Sequence, residues 1–372
     1  TAQFAAQLTK LPPDGQAALI DALAARQDPA ARQAVLEAAK STNDKVAIAA
    51  VAAMGSVGNA QDVDLLVAAA SAGGDKGAAA RASLQRLKGK DVDSALVAAL
   101  DKADPAGKVQ IIGALADRAA AEAAPAVEKL VASDNAEVRQ AAIAAIGVLG
   151  TEKQIPALVA ALRSAKDAAG IEAADKALAA ICTRVKAKAV DDLQAGLSGA
   201  SPEVQASLYN ALARAGGQKA LATLVTAAKA GNDGAVRALA TWTAPNAITP
   251  LLDIASTSDN KVHRVLAIRG VIYLARLKET PQADALAALA KAMTLADNPE
   301  KLQVLAALGE IPTIESFKML APCVEENALA EAACSAAVKI APKVMGKDKD
   351  LVRATLEKVV ANTKNQRTKR DA

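Results

Sequence analysis

Asn135 to Gly150 reads NAEVRQAAIAAIGVLG, the pattern of an amphipathic helix with its own start and stop signals. Val138, Ala141, Ala142, Ala145, Ile146 and Leu149 recur at helical spacing. Asn135 puts a side-chain acceptor where a helix would begin, and Gly150 stands where it would stop. The same arrangement returns after turns at Asp44, Asp75, Asp104, Asp134, Ser201, Asp233, Asp259 and Asn298, which sets a unit of about 31 residues. Asp28-Pro29, Asp104-Pro105, Ser201-Pro202 and Asn298-Pro299 each offer an N-cap acceptor followed by a proline where no amide donor is needed.

Between these helices lie shorter apolar ones: Asp62 to Ala70, Ile155 to Ser164 and Ala247 to Ile254. Two helices per unit predict roughly eleven hairpins. A lone hairpin cannot bury enough apolar surface to offset its ordering entropy, whereas stacked hairpins share one core. Alanine at the facing positions lets helix axes approach closely and is the best helix former. Aromatic residues are only 1% of the chain, too few for a β-rich fold. The expected fold is therefore all-α, a right-handed α-solenoid or superhelix. It occupies residues 1–361 as a single solenoid and leaves 362–372 as a basic C-terminal tail. Longer repeats near 151–187 and 278–312 and a shorter one near 243 predict local changes of curvature. The first repeat lacks a polar capping face, which points to an N-terminal extension.

The net charge of +4 is local: eight Lys and Arg against four Asp and Glu follow from Lys347 onward, leaving 36 of each sign before it. A balanced body argues against nucleic acid as the partner. No apolar run reaches the roughly 18 residues that cross a bilayer, so the chain is expected to be soluble, with no membrane span.

The Val-Arg pairs that open helices at Val138-Arg139, Val236-Arg237 and Val352-Arg353 resemble those of HEAT repeats, and the resemblance covers nearly the whole chain. AVRALATW (Ala235 to Trp242), HRVLAIRGVIYLARL (His263 to Leu277) and ALAEAACSAAVKIA (Ala328 to Ala341) look in particular like the HEAT modules of large bacterial proteins. That likeness implies a piece of a larger bacterial protein or assembly, with an exported origin favoured over a cytoplasmic one.

His263 is the single histidine and cannot by itself build a metal site, so a structural or solvent-facing place is expected for it. The His-Glu pairs of HEAT-type di-iron hydroxylases do not occur. Cys323 and Cys334 fall across one hairpin. A disulfide is one reading of them, and two small buried hydrophobes, as for Cys182, is the reading their register favours. The glycine-rich AGGDKG (Ala72 to Gly77) matches no phosphate loop and reads as an inter-helix turn. No catalytic residue, cofactor or small-molecule substrate is expected.

The cluster that stands out is Arg237, Trp242, Arg264, Arg269 and Tyr273. It gathers the one Trp and one of two Tyr within adjacent repeats, and such residues anchor protein interfaces. The competing reading has the aromatics filling an irregular junction while the arginines cap turns or pair with neighbouring acids. The expected function is a non-catalytic scaffold that binds a protein or peptide on its concave face. Nucleic-acid binding of the HEAT-type DNA-glycosylase kind, or a bilin-lyase-like enzyme, are the alternatives.

Overall fold

The computed structural model describes residues 1–372, which contain helices and turns and no strand. The chain divides into two compact units, Thr1–Gly199 and Ala200–Ala372. Unit 1 holds α1 (Ala2–Ala5), α2 (Pro13–Arg26), α3 (Arg32–Ala38), α4 (Asp44–Val57), α5 (Val63–Ala72), α6 (Gly74–Arg86) and α7 (Val92–Leu100). It continues with α8 (Pro105–Asp117), α9 (Ala124–Glu128), α10 (Ala136–Leu149), α11 (Ile155–Ser164), α12 (Ala168–Val185) and α13 (Val190–Leu197). Unit 2 holds α14 (Pro202–Ala215), α15 (Gly217–Lys229), α16 (Asp233–Ala240), α17 (Ile248–Thr257), α18 (Lys261–Ala275) and α19 (Gln282–Leu295). It ends with α20 (Asn298–Leu308), α21 (Ile314–Leu320), α22 (Ala330–Val344), α23 (Lys349–Asn362) and α24 (Gln366–Asp371).

Each unit is an α-solenoid of stacked hairpins. The second helices, α4 to α12 by even numbers in unit 1 and α14 to α22 in unit 2, pack in sequence as one row, and the first helices form the other. The core lies between the rows and is built from Leu, Ile, Val and Ala. Small residues set the spacing along the second-helix row. A Cβ added to Gly55 would stand 2.9 Å from the Cα of Ser83, and one added to Gly147 would stand 3.1 Å from the Cα of Ala177. In unit 2 a Cβ on Gly234 would come within 3.0 Å of the Cα of Ala206. Backbones this close leave no room for larger side chains, which is the physical content of the alanine-rich pattern.

Helix starts follow local side-chain chemistry. Asn43, Asp104, Asn135, Asp167, Ser201, Asn232 and Asn260 each accept a hydrogen bond from a backbone N–H in the first turn of the helix that follows. In the turns at Asp44, Asp134, Asp233 and Asp259 the capping side chain is thus the neighbouring asparagine. The Asn298-Pro299 expectation is corrected, because Asp297 is the N-cap of α20 and makes no capping hydrogen bond. Its carboxylate is drawn instead to Lys261 Nζ on α18, 3.2 Å away. Gly150 ends α10 as expected but in an extended conformation (φ −68°, ψ 157°). Its need is space, since a Cβ there would lie 2.6 Å from the carbonyl oxygen of Ile146 and 2.8 Å from Ile181 Cδ1. The expected long repeat at 151–187 contains the 18-residue α12, and the short one near 243 contains the 8-residue α16.

Arginines join successive second helices end to end. Arg118, following α8, donates from Nη1 to the carbonyls of Leu84, Gln85 and Leu87 at the end of α6 (3.3, 3.1 and 2.7 Å) and from Nε to Asp93. Arg184 of α12 likewise reaches the carbonyls of Gly147 (2.8 Å) and Gly150 (2.9 Å) at the end of α10. Carbonyls of a last helical turn have no intrahelical donor, and the cation also meets the negative end of the helix dipole. Arg118→Ala is expected to cost about 1 to 3 kcal/mol in urea denaturation, because part-buried carbonyls lose their donor. Arg118→Lys should recover only part, since an ammonium lacks the planar fork.

Candidate functional site

Helix α18, KVHRVLAIRGVIYLA, turns His263, Ala267, Ile268, Val271 and Leu274 into the core of unit 2. The same periodicity leaves Val262, Arg269, Tyr273 and Arg276 on the opposite, exposed side. Val262 is 50% exposed and Tyr273 48%, and Leu302 on the neighbouring α20 is 39% exposed. Three of the seven large hydrophobic side chains that the chain exposes are therefore on these two helices. Between them run three ion pairs from α18 toward α20: Lys261 to Asp297 (3.2 Å), Arg269 to Glu300 (2.9 Å) and Arg276 to Glu310 (2.7 Å). A cleft of about 670 Å³ opens here, with Lys261, Val265, Arg269, Asp297, Glu300 and Lys301 in its wall.

The five residues singled out from the sequence do not all share this face. Arg269 and Tyr273 lie on it. Trp242 is 3% exposed at the end of α16, and its indole N–H donates to Asn246 Oδ1 at 2.9 Å. Arg264 binds the carbonyls of Ser258 (2.9 Å) and Asp259 (3.1 Å) in the turn before its own helix. Arg237, exposed on α16, pairs with Asp233 one turn earlier at 2.7 Å. Asp233 also faces the buried His263, whose Nε2 is 3.3 Å from Asp233 Oδ1, so this carboxylate ties α16 to α18. The Arg237 guanidinium first, and His263 after it, hold the Asp233 carboxyl below the usual range.

Val262, Leu302 and Arg276 were missed in the sequence. The helical phase of α18 marks Val262 and Arg276 once the buried positions are fixed, but the partners Glu300 and Glu310 lie about one repeat away and no local pattern points to them. Glu300 is 3% exposed and its carboxylate receives both Nε (3.2 Å) and Nη2 (2.9 Å) of Arg269.

No three His, Cys, Asp or Glu side chains converge in a way that would hold a metal ion. The three cysteines are free and buried. Burial pushes the Cys182 thiol up to about 12 and raises those of Cys323 and Cys334 as well. A thiol is nucleophilic only as thiolate. Iodoacetamide at pH 8 is accordingly expected to leave Cys182 unmodified in the folded chain and to label all three cysteines in 8 M urea, as mass spectrometry would read. Labelling of native Cys182 at the rate of a free thiol would contradict this placement. No helix is long and apolar enough to cross a membrane.

Residues 1–85 and 94–179 match the sequence profile of HEAT repeats. No curated protein matches the chain in sequence. Among solved structures, the chain is similar to Kap121p, at a TM-score of 0.55 and 11% identity over 97% of this chain and 47% of that one. It is similar also to the karyopherin Kap121p bound to the SUMO protease Ulp1p (TM-score 0.54, 12% identity, 97% and 47% covered). A third similar structure is Kap121p bound to Nup53p (TM-score 0.53, 10% identity, 95% and 48% covered). The chain spans about half the length of these karyopherins, and identity this low carries the fold alone.

Proposed function

Because this chain is built of HEAT repeats, we propose that it is a non-catalytic interaction scaffold that holds a protein or peptide partner on the second-helix row of unit 2. In this reading the closely packed row is the inner, concave side of the stack, the side on which solenoids offer extended binding surface. The observation that carries the reading is the α18–α20 stripe, where Val262, Tyr273 and Leu302 stand exposed between cations already matched by acids. Apolar and aromatic knobs among satisfied charges are the composition of a protein interface. Nucleic acid would call for a line of unmatched cations with aromatic platforms. Of the five residues expected from the sequence, Arg269 and Tyr273 are the contact residues in this reading. Arg237 borders them, and Trp242 and Arg264 hold α16 and α18 in place. The karyopherin structures, two of them with a protein bound, support a protein as the partner class.

The test is capture with the purified chain at two salt concentrations, with and without nuclease, followed by affinity measurement on the captured partner. A protein that survives nuclease and binds the Val262→Ala/Tyr273→Ala variant about tenfold or more weakly, with helicity unchanged, is the expected result. Recovery only of nuclease-sensitive, salt-sensitive material overturns the reading in favour of nucleic acid. A partner whose affinity is unmoved by the variant removes the α18 stripe from the site.

A further inference from the structure

The corner between α22 and α23 carries charge that the fold does not neutralise. From Lys339 onward there are ten Lys and Arg against four Asp and Glu, while the preceding residues hold 34 and 36. Four of these lysines, Lys339, Lys343, Lys347 and Lys349, fall within eleven residues, and the one acid among them, Asp348, accepts from the Leu351 N–H at 3.1 Å as a helix cap. Arg237, Lys261, Arg269 and Arg276 of α16 and α18 each have an acid within 4.0 Å, whereas these four lysines have none. A single cation in the last turn of α22 would satisfy the helix dipole, so four in succession exceed what local structure uses.

Apolar surface opens at the same corner. Met345 is 45% exposed and Val360 38%, and with Leu356 they flank a cleft of about 510 Å³ whose wall includes Lys349 and Arg353. Of the two acidic side chains in that wall, Asp350 and Glu357, the second is occupied by Arg353 Nε at 3.1 Å. The opposite end of the α22–α23 hairpin is tied as well: Lys364 N–H donates to Glu331 of α22 and Thr363 Oγ1 donates to its Oε2 at 2.9 Å, which keeps the Glu331 carboxyl below its usual range.

We propose that the α22–α23 corner is a second docking site, distinct from the α18–α20 stripe, for an acidic segment of a protein partner that carries one aliphatic or aromatic anchor residue. The anchor enters the cleft between Met345, Leu356 and Val360, and its flanking carboxylates meet Lys343, Lys347 and Lys349. The apolar part supplies affinity by area removed from water, and the unmatched lysines supply specificity and encounter rate. Nucleic acid fits less well, because the corner has no aromatic platform on which a base would stack. An anionic bilayer fits less well too, because the apolar side chains line a concavity that a flat lipid surface does not enter.

The experiment selects random 12-residue peptides on the full chain, with counter-selection against the Lys343→Glu/Lys347→Glu/Lys349→Glu variant. These side chains are exposed, and thermal melting of the variant should match the parent. Binding of the best peptide is then followed by methyl NMR with labelled methionine, in which Met345 is the most exposed of four methionines. Expected are peptides rich in Asp and Glu around a Leu, Ile or Phe, a shift of the Met345 methyl on binding, and about tenfold or greater loss of affinity in the charge-reversed variant. Loss of affinity on replacing the anchor by Ser is expected as well. Failure to enrich acidic peptides, an unmoved Met345 methyl, or equal binding with Ser at the anchor overturns the proposal. Phosphatidylserine vesicles or a 20-nucleotide single strand binding the corner more tightly than any selected peptide would overturn it in favour of those surfaces.

Discussion

Phe317→Ala is expected to destabilise the chain by about 3 to 5 kcal/mol, the range for truncating a fully buried aromatic side chain. Phe317 is one of two phenylalanines, is 0% exposed, and is the largest fully buried side chain in the molecule. It sits on the short α21, whose seven residues have little helical stability of their own and depend on packing against α22. In a stack where each hairpin touches mainly its neighbours, the loss should fall first on the hairpins around α21. Hydrogen exchange should therefore show α20 to α22 losing protection well before α4 to α12, and chemical denaturation should shift to lower urea. The other phenylalanine, Phe4, is 60% exposed, so Phe4→Ala provides the control and should leave the transition where it was. A Phe317→Ala transition that overlays the parent would show that α21 does not pack as described.

Arg269→Ala should cost roughly 2 to 4 kcal/mol, although the arginine is half-exposed and looks from its own position like a surface residue. The reason is Glu300. Its carboxylate is almost wholly buried and receives two N–H groups from Arg269, so removing the arginine leaves an uncompensated charge in a poor solvent for it. Water entering beside Arg269 keeps the loss below that of a fully enclosed pair. The double variant Arg269→Ala/Glu300→Gln should regain most of the stability, because with the charge gone the penalty goes too. If the single and double variants melt together, the carboxylate is not what the arginine serves. The consequence for binding work is direct: Arg269 variants report stability as well as affinity, so Val262 and Tyr273 are the cleaner probes of the stripe.

The outcome for the five-residue cluster shows how far a sequence reaches into a site. Arg and aromatic residues within two repeats are visible as composition, and Tyr273 does stand exposed. Trp242 goes inward because α16 stops at Ala240, after only eight residues, and the chain that follows folds its indole beneath Asn246. Arg264 is taken up by turn carbonyls whose position depends on the path of residues 258–260. His263 and Cys182 were legible as parts of the protein's interior or frame, since a lone histidine and a lone cysteine amid apolar helix have no partner with which to do chemistry.

The helices were legible from the residues alone, because periodicity, caps and alanine content are properties of neighbours within four residues. That local pattern placed Ile155–Ser164 at its observed bounds and Asn135 and Gly150 at the two ends of α10. It also determined that hairpins must stack, since no single one can cover its own apolar face. Which partners the charges take follows from how the repeats stack. Arg269 with Glu300, Arg276 with Glu310 and Arg118 with the carbonyls ending α6 are all separated by roughly one repeat, 31 to 34 residues, except for Arg118 with Asp93. Those pairings depend on the offset between stacked helices, which is set by side-chain packing between repeats rather than by any local pattern. The same offset decides which cations are left over, and so where the chain has surface free for a partner.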